Sequence, residues 1–131
     1  MTPRQTLKHL LKRDKLLVAP GCFDGLSARL VQEAGFEAAY LSGGAVARSM
    51  GIPDIGLVTM SENIERAAQA VSAIKIPIIA DADTGYGNAV NLVRTVREFE
   101  RAGVAAIHIE DQITPKRCGH LDGRKSSQSA K

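Results

Sequence analysis

The chain has 131 residues, 44% of them hydrophobic and 24% charged, with a formal net charge of +3, the size and composition of a single soluble domain. Basic residues gather only at the two ends and aromatics make up 4%, which argues against nucleic acid as a partner. No apolar run approaches the roughly 20 residues that cross a bilayer, so no membrane association is expected.

The elements follow in chain order. Thr2-Pro3-Arg4-Gln5 reads as a helix start, with a hydroxyl cap, Pro at the first position and Gln at the third. This helix is expected to run to about Arg13. The segment lacks the apolar core and cleavage site of a secretory signal. It is basic and amphipathic, as organelle transit peptides are, but an ordinary helix in a cytoplasmic protein is the stronger reading. Residues 16–19 form an apolar strand ended by Pro20-Gly21, and 26–33 a helix stopped by Gly35. Residues 38–41 are a second strand, ended by Ser42-Gly43-Gly44, with a long loop through Gly51, Pro53 and Gly56. Thr59 and Glu62 open a helix to about Ala73. Residues 76–80 are a third strand. A helix over 88–102 has apolar positions at Val90, Leu92, Val93, Val96 and Phe99, and 105–109 are a fourth strand. Short strands, apolar on both faces and separated by helices, are the signature of βα units and a parallel sheet. Polar or Gly-rich sequence follows every strand, as in barrel enzymes that gather groups from several strand ends. A small doubly wound domain is the structural alternative.

The chemistry concentrates between Ile78 and His120. Asp81 and Asp83 are two residues apart, so a continuing strand would aim both to one side. Close carboxylates repel unless a proton or cation intervenes, and Mg²⁺ takes oxygen ligands while keeping several waters. An Asp-rich turn capping the next helix is the plainer reading. Glu110 and Asp111, ending the next strand, favour the metal. They point to opposite faces; Glu110 is assigned to the site and Asp111 to a salt bridge. Ser42-Gly43-Gly44 offers a hydroxyl and unobstructed backbone N–H groups that can hold a carboxylate or oxyanion. Asp54 reads as a turn residue, or as the holder of a metal-bound water. Cys118, between Arg117 and Gly119-His120, reads as an exposed thiol that neighbouring cations activate. Cys22 reads as structural, and His108 as a satisfied core histidine. Neither cysteine fits a zinc spacing, so both are expected as free thiols in a reducing compartment.

These residues lie in six motifs: APGCFDGLSARL near the start, YLSGG at 40–44, IPDIGL at 52–57, IADADTGYG at 79–87, IHIEDQ at 107–112 and PKRCGH at 115–120. In this order they resemble the isocitrate lyase/phosphoenolpyruvate mutase superfamily, most closely its methylisocitrate lyase-like members, over residues 7–124. The resemblance implies an α/β fold, the N-terminal half of a (β/α)8 TIM barrel. About four βα units would occupy residues 1–124, with a disordered polar tail over 125–131. It implies Mg²⁺, with Mn²⁺ as the alternative, a small carboxylic acid substrate and a tetramer, an assembly not expected of half a barrel. Asp81 resembles the direct metal ligand, and Asp54, Asp83 and Glu110 resemble residues that complete the shell. Ser42, Gly43 and Gly44, with Tyr40 beside them, resemble the substrate's carboxylate and oxo site. Cys118 resembles the general acid/base of the lyases. Gly119 contacts substrate, and Lys116, Arg117 and His120 share its loop. The implied reaction is carbon–carbon cleavage next to a 2-oxo or 2-hydroxy acid. The family's four further βα units, which bring an Arg, a Glu and an Asn to the substrate, have no counterpart, so full activity is not expected of this chain. Three other readings stay open: an inactive fragment or interaction module whose edges another chain covers, a phosphonomutase or oxaloacetate-processing relative, and a complete small α/β domain binding phosphate or carboxylate at Ser42-Gly43-Gly44.

Overall fold

The computed structural model describes residues 1–123, 125 and 126. Its elements are α1 (Pro3–Leu11), β1 (Gly21–Cys22), α2 (Gly25–Glu33), β2 (Ala39–Leu41), α3 (Gly43–Ser49), α4 (Met60–Ala73), β3 (Ile78–Asp81), α5 (Ala89–Arg101) and β4 (Ala106–His108). The strands form one parallel sheet in the order β1-β2-β3-β4, as the alternation of strand and helix patterns predicts.

Local chemistry sets the helix starts. Thr2 and Gln5 form a capping box at α1, and Thr59 and Glu62 another at α4, both read correctly from sequence. Asp24 caps α2: its Oδ1 accepts from Ser27 N at 2.7 Å. Gly35 and Gly103 end α2 and α5 with φ of +86° and +89°, a region where a Cβ is costly.

One face of the sheet is covered by helices. Ala39 and Leu41 of β2 and Ile78 and Ala80 of β3 are buried there with Ala28 and Val31 of α2, Ala67 and Ala70 of α4, and Phe99 of α5. Strand side chains alternate between faces, so Tyr40, Ile79 and Asp81 project to the other face, beside Ala106 and His108 in register. That face has no covering layer among the described residues. Tyr40, Ile79 and Ala106 are half-buried and His108 is exposed.

Four readings of the sequence need correction. Residues 16–19 are not a strand; Leu16 is 83% exposed. The ladder with β2 begins only at Pro20, whose carbonyl accepts from Tyr40 N at 2.9 Å. Residues 43–49, read as part of the long loop after β2, are helical. Ser42 Oγ caps them through Ala45 N at 3.2 Å, and Val46 and Ala47 are buried, so tertiary burial overrides propensity. The buried face of α5 is Thr95 and Phe99, whereas Val90, Val93 and Val96 are 80%, 54% and 42% exposed. His108 is satisfied, by Tyr40 Oη at 3.0 Å, but it is exposed rather than in the core, because its face is the uncovered one. In the tail, Ile113 N donates to Lys125 O at 2.9 Å and Gln112 bridges to Ser126; Arg124 and residues 127–131 lie outside the described residues.

The Asp24 cap makes a pH-dependent prediction. The Ser27 backbone N–H, then its hydroxyl, hold the Asp24 carboxyl below the usual range. A carboxylate with a depressed folded pKa stabilises the protein above its unfolded value near 3.9, and this contribution fades as pH falls through the lower folded value. Asp24→Ala should cost about 1 kcal/mol at neutral pH. Asp24→Asn should retain the cap and lose less stability in acid than the native chain, measured by thermal unfolding across pH.

Candidate functional site

Strand β3 delivers Asp81 to the C-terminal end of the sheet, where the chain breaks out of its extended path. Asp83 adopts φ of +48° and Tyr86 of +58°, a conformation uncommon outside glycine but tolerated by Asp. The strand therefore does not continue to Asp83, and its register does not put the two carboxylates side by side. A turn does: Asp83 N donates to Asp81 Oδ1 at 2.9 Å, and Gly85 N closes on Ala82 O at 2.9 Å. Both aspartates are buried, 7% and 6% exposed.

From β2, the start of α3 comes up against them. Gly43 N donates to Asp81 Oδ2 at 3.3 Å. A Cβ on Gly43 would stand 2.8 Å from that oxygen and 3.3 Å from Asp83 Oδ1, and one on Gly44 2.9 Å from Asp54 Oδ2. Ser42 spends its hydroxyl as an acceptor on capping α3. The paired glycines thus make room for three carboxylates.

Lys116 compensates the charge. Its Nζ lies 2.7 Å from Asp54 Oδ1 and 2.6 Å from Asp83 Oδ1, and the residue is 4% exposed. Asp83 Oδ1 has no other hydrogen-bond donor. Burial raises the Asp83 pKa, against the pull of Lys116 and with the help of Asp81 and Asp54. Burial alone would lower Lys116, but its hydrogen bonds to Asp54 and Asp83 outweigh that and raise it. The ammonium stays charged and pairs with two of the three carboxylates. A cleft of about 180 Å³ opens beside Asp83 and Lys116, walled by Val58, Tyr86 and Pro115.

The other predicted residues divide. Tyr40 lies on the open face, with its pKa pushed up to about 12 by burial and then by Asp81 and Glu110, so both carboxylates act on one phenol. Glu110 is half-buried; its N–H donates to Asp83 O at 2.7 Å and its carboxylate accepts from Gln112. Asp111 is exposed and forms no ion pair among the described residues, against the salt bridge expected of it. Cys118 is half-buried and tied to the cluster through its backbone, its N–H donating to Asp54 O at 3.0 Å; its Sγ lies 3.5 Å from His120 Nδ1. Gly119 and His120 are exposed. Cys22 is fully buried, with its thiol pushed up to about 11 by burial and then by Asp24, as a structural thiol should be.

Sequence reading missed two residues. Asn63, 1% exposed on α4, donates from Nδ2 to Asp81 O at 2.8 Å and Tyr86 Oη at 2.7 Å. Gln112 accepts from Arg117 N at 2.9 Å while donating to Glu110. The one sequence signal for Asn63 is a polar residue in line with the buried Ala67 and Ala70.

Among the described residues, no three His, Cys, Asp or Glu side chains converge as a ready metal cage. Mg²⁺ needs none, because it binds through one or two carboxylates, water and substrate oxygens. The adjoining carboxylate oxygens of Asp81 and Asp83 are hard donors of the kind that ion takes.

Comparison with known proteins places this geometry. The family model described as phosphoenolpyruvate phosphomutase matches residues 7–130. A 2,3-dimethylmalate lyase of Eubacterium barkeri is 50% identical over 95% of this chain and 44% of its own length. A 2-methylisocitrate lyase of Aeropyrum pernix is 48% identical over 93% of this chain and 40% of its own. A solved phosphonopyruvate hydrolase in complex with oxalate and Mg²⁺ superposes with a TM-score of 0.86 at 37% identity, covering 94% of this chain and 44% of that one. The chain spans less than half the length of the proteins it matches, and its four parallel strands with the helices between them correspond to the N-terminal half of their barrel.

The glycine pair gives a test by sign. Helix propensity favours Ala over Gly by about 0.5–1 kcal/mol. At Gly43 the contact with Asp81 should reverse this, and Gly43→Ala should lower stability by about 1–3 kcal/mol in urea unfolding. A gain would show that the carboxylate yields.

Proposed function

The chain belongs to the phosphoenolpyruvate phosphomutase family, and on that premise we propose that it carries the metal-binding and proton-transfer end of a carbon–carbon lyase acting on a 2-hydroxy or 2-oxo carboxylic acid. The observation that carries this reading is the pairing of Asp81 with Asp83 at one end of the sheet, with Lys116 linking Asp83 to Asp54 and Cys118 bonded by its backbone to Asp54.

Asp81 would hold Mg²⁺ directly, with Asp54, Asp83 and Glu110 completing its shell through water; Mn²⁺ has the same ligand preferences. When bound, the ion supplies charge stabilisation for an enolate-like oxyanion. The chain's own groups do the rest. Tyr40, Ser42, Gly43 and Gly44 line the place for the substrate's carboxylate and oxo group, with Gly119 and His120 on the opposing loop. In cleavage, the carbinol hydroxyl would give its proton to solvent and become the new carbonyl, the bond between the carbinol carbon and its neighbour would break, and the departing carbon would keep that bond's electron pair. Cys118 gives its proton to that carbon; in the reverse direction its thiolate removes it. The relatives' names favour small branched di- and tricarboxylic acids and support a lyase over a phosphonomutase or an oxaloacetate-processing enzyme. The assay is release of pyruvate or glyoxylate from 2-methylisocitrate, 2,3-dimethylmalate or isocitrate. EDTA should abolish it, and Cys118→Ser should reduce it by about 10²-fold or more.

The sheet's uncovered face favours a second reading. Among the described residues, Tyr40, Ile79, Ala106 and His108 lie on it without a covering layer, β1 and β4 are unpaired on their outer sides, and Val90 and Val93 of α5 face outward. Open strand edges and apolar patches invite a partner. This reading expects a chain that binds a hydrophobic dye, self-associates in size measurements and releases no oxo acid. A monodisperse, dye-free, active protein would sink it.

A further inference from the structure

Two residues behind the carboxylates carry costs that packing alone does not explain. Asn63 stands in line with the buried Ala67 and Ala70 of α4 and is 1% exposed. Its Oδ1 has no hydrogen-bond donor among the described residues. A buried amide left partly unsatisfied is unfavourable where an apolar side chain would pack. Tyr86 adopts φ of +58°, between Gly85 at +97° and Gly87 at +139°, and a bulky side chain in that region is strained.

Both residues are turned toward the aspartates. Asn63 Nδ2 donates to Asp81 O at 2.8 Å and to Tyr86 Oη at 2.7 Å. A backbone carbonyl only accepts, so the nitrogen of this amide, and not its oxygen, faces Asp81. With both amide protons given, Asn63 ties the last residue of β3 to the phenol of Tyr86. The phenol oxygen accepts from Asn63 and keeps its own proton for another acceptor. Asp83 is the carboxylate that acts on it: burial first, then the Asp83 charge, push the Tyr86 phenol up, so the hydroxyl stays protonated. The ring itself stacks on the buried Phe99 of α5, with centroids 6.5 Å apart. Thr95 of α5 holds the same turn, its Oγ1 donating to Gly85 O at 2.7 Å. The turn after β3 is thus held from two helices at once.

We propose that Asn63 and Tyr86 are positioning residues for the divalent cation: from α4 they fix Asp81, the direct ligand, relative to Asp83, which holds the ion's water. They act through those aspartates and not on the ion. The proposal rests on the reading of Asp81 and Asp83 as cation-binding residues. Because Asn63 orients the phenol that faces Asp83, the two residues work as one unit, and removal of the first leaves the second little to do.

Calorimetric titration of the whole chain with MgCl2 tests this. Tyr86→Phe keeps the ring and its stacking and removes only the hydroxyl, and Mg²⁺ should bind it about tenfold more weakly than the native chain. Asn63→Ala should weaken binding at least as much, and the double variant no further than Asn63→Ala alone. Thermal unfolding without metal shows that each variant is folded at the titration temperature. Residues that serve only the core would lower the unfolding midpoint and leave the Mg²⁺ affinity of the folded chain unchanged. That outcome in Tyr86→Phe would overturn the positioning role while leaving the metal reading intact. Additive losses in the double variant would overturn the single unit. A native chain that binds no Mg²⁺ would overturn the metal reading and the positioning role together. Should Asn63→Ala not fold, Tyr86→Phe decides: a tenfold loss supports the proposal and an unchanged affinity overturns it.

Discussion

Buried negative charge is the constraint around which this end of the molecule is arranged. Asp81 and Asp83 are taken almost wholly out of water, and ionised carboxylates in that position are costly unless paired or hydrogen-bonded. Every nearby feature answers this cost. Gly43 brings a backbone N–H to Asp81, and Asp83 brings its own. Asn63 holds the Asp81 carbonyl from below. Lys116 crosses from another loop to place its ammonium between Asp83 and Asp54. Remove the carboxylates and the glycine pair, the left-handed turn at Asp83 and the path of the 112–118 loop lose their reason.

The same arrangement separates what this chain holds from what it leaves open. The helix-covered face is packed with small and branched side chains, close enough that a Cβ on Gly25 would lie 3.4 Å from Ala73 Cβ and Gln69 O. The other face carries Tyr40, Asp81 and His108 and has no layer over it among the described residues. In a closed barrel that face is the interior, filled by side chains from opposing strands. Here Tyr40 and His108 pair with each other across it. The proteins this chain matches are more than twice its length, and the reading of the site as a lyase centre is a reading of its metal end.

Much of this was legible without coordinates, and the reasons are local. The capping boxes at Thr2 and Thr59 are read by residue type and spacing, because they close within one turn of chain. The glycine stop at Gly35 follows from a backbone angle that only glycine adopts cheaply. The errors share a cause. Residues 16–19 have strand composition but no neighbour to pair with, and a strand exists only in a ladder. Residues 43–49 have poor helix propensity but are buried against the sheet, and burial decided. The outward half of the α5 pattern could not be told from the inward half, since both are apolar.

For the site, the sequence by itself determined the inventory: which carboxylates, glycines and thiol are present, and that they cluster after strands, because motif and order are written in one dimension. Only the tertiary structure decided how they meet. Asp81 and Asp83 come together through a left-handed turn and not through strand register. Ser42 and Asp24 cap helices. Lys116 reaches Asp54 and Asp83 across 62 and 33 positions of sequence. An ion pair of that span leaves no local pattern; it exists because the fold buries charges that must find a partner wherever the chain can bring one.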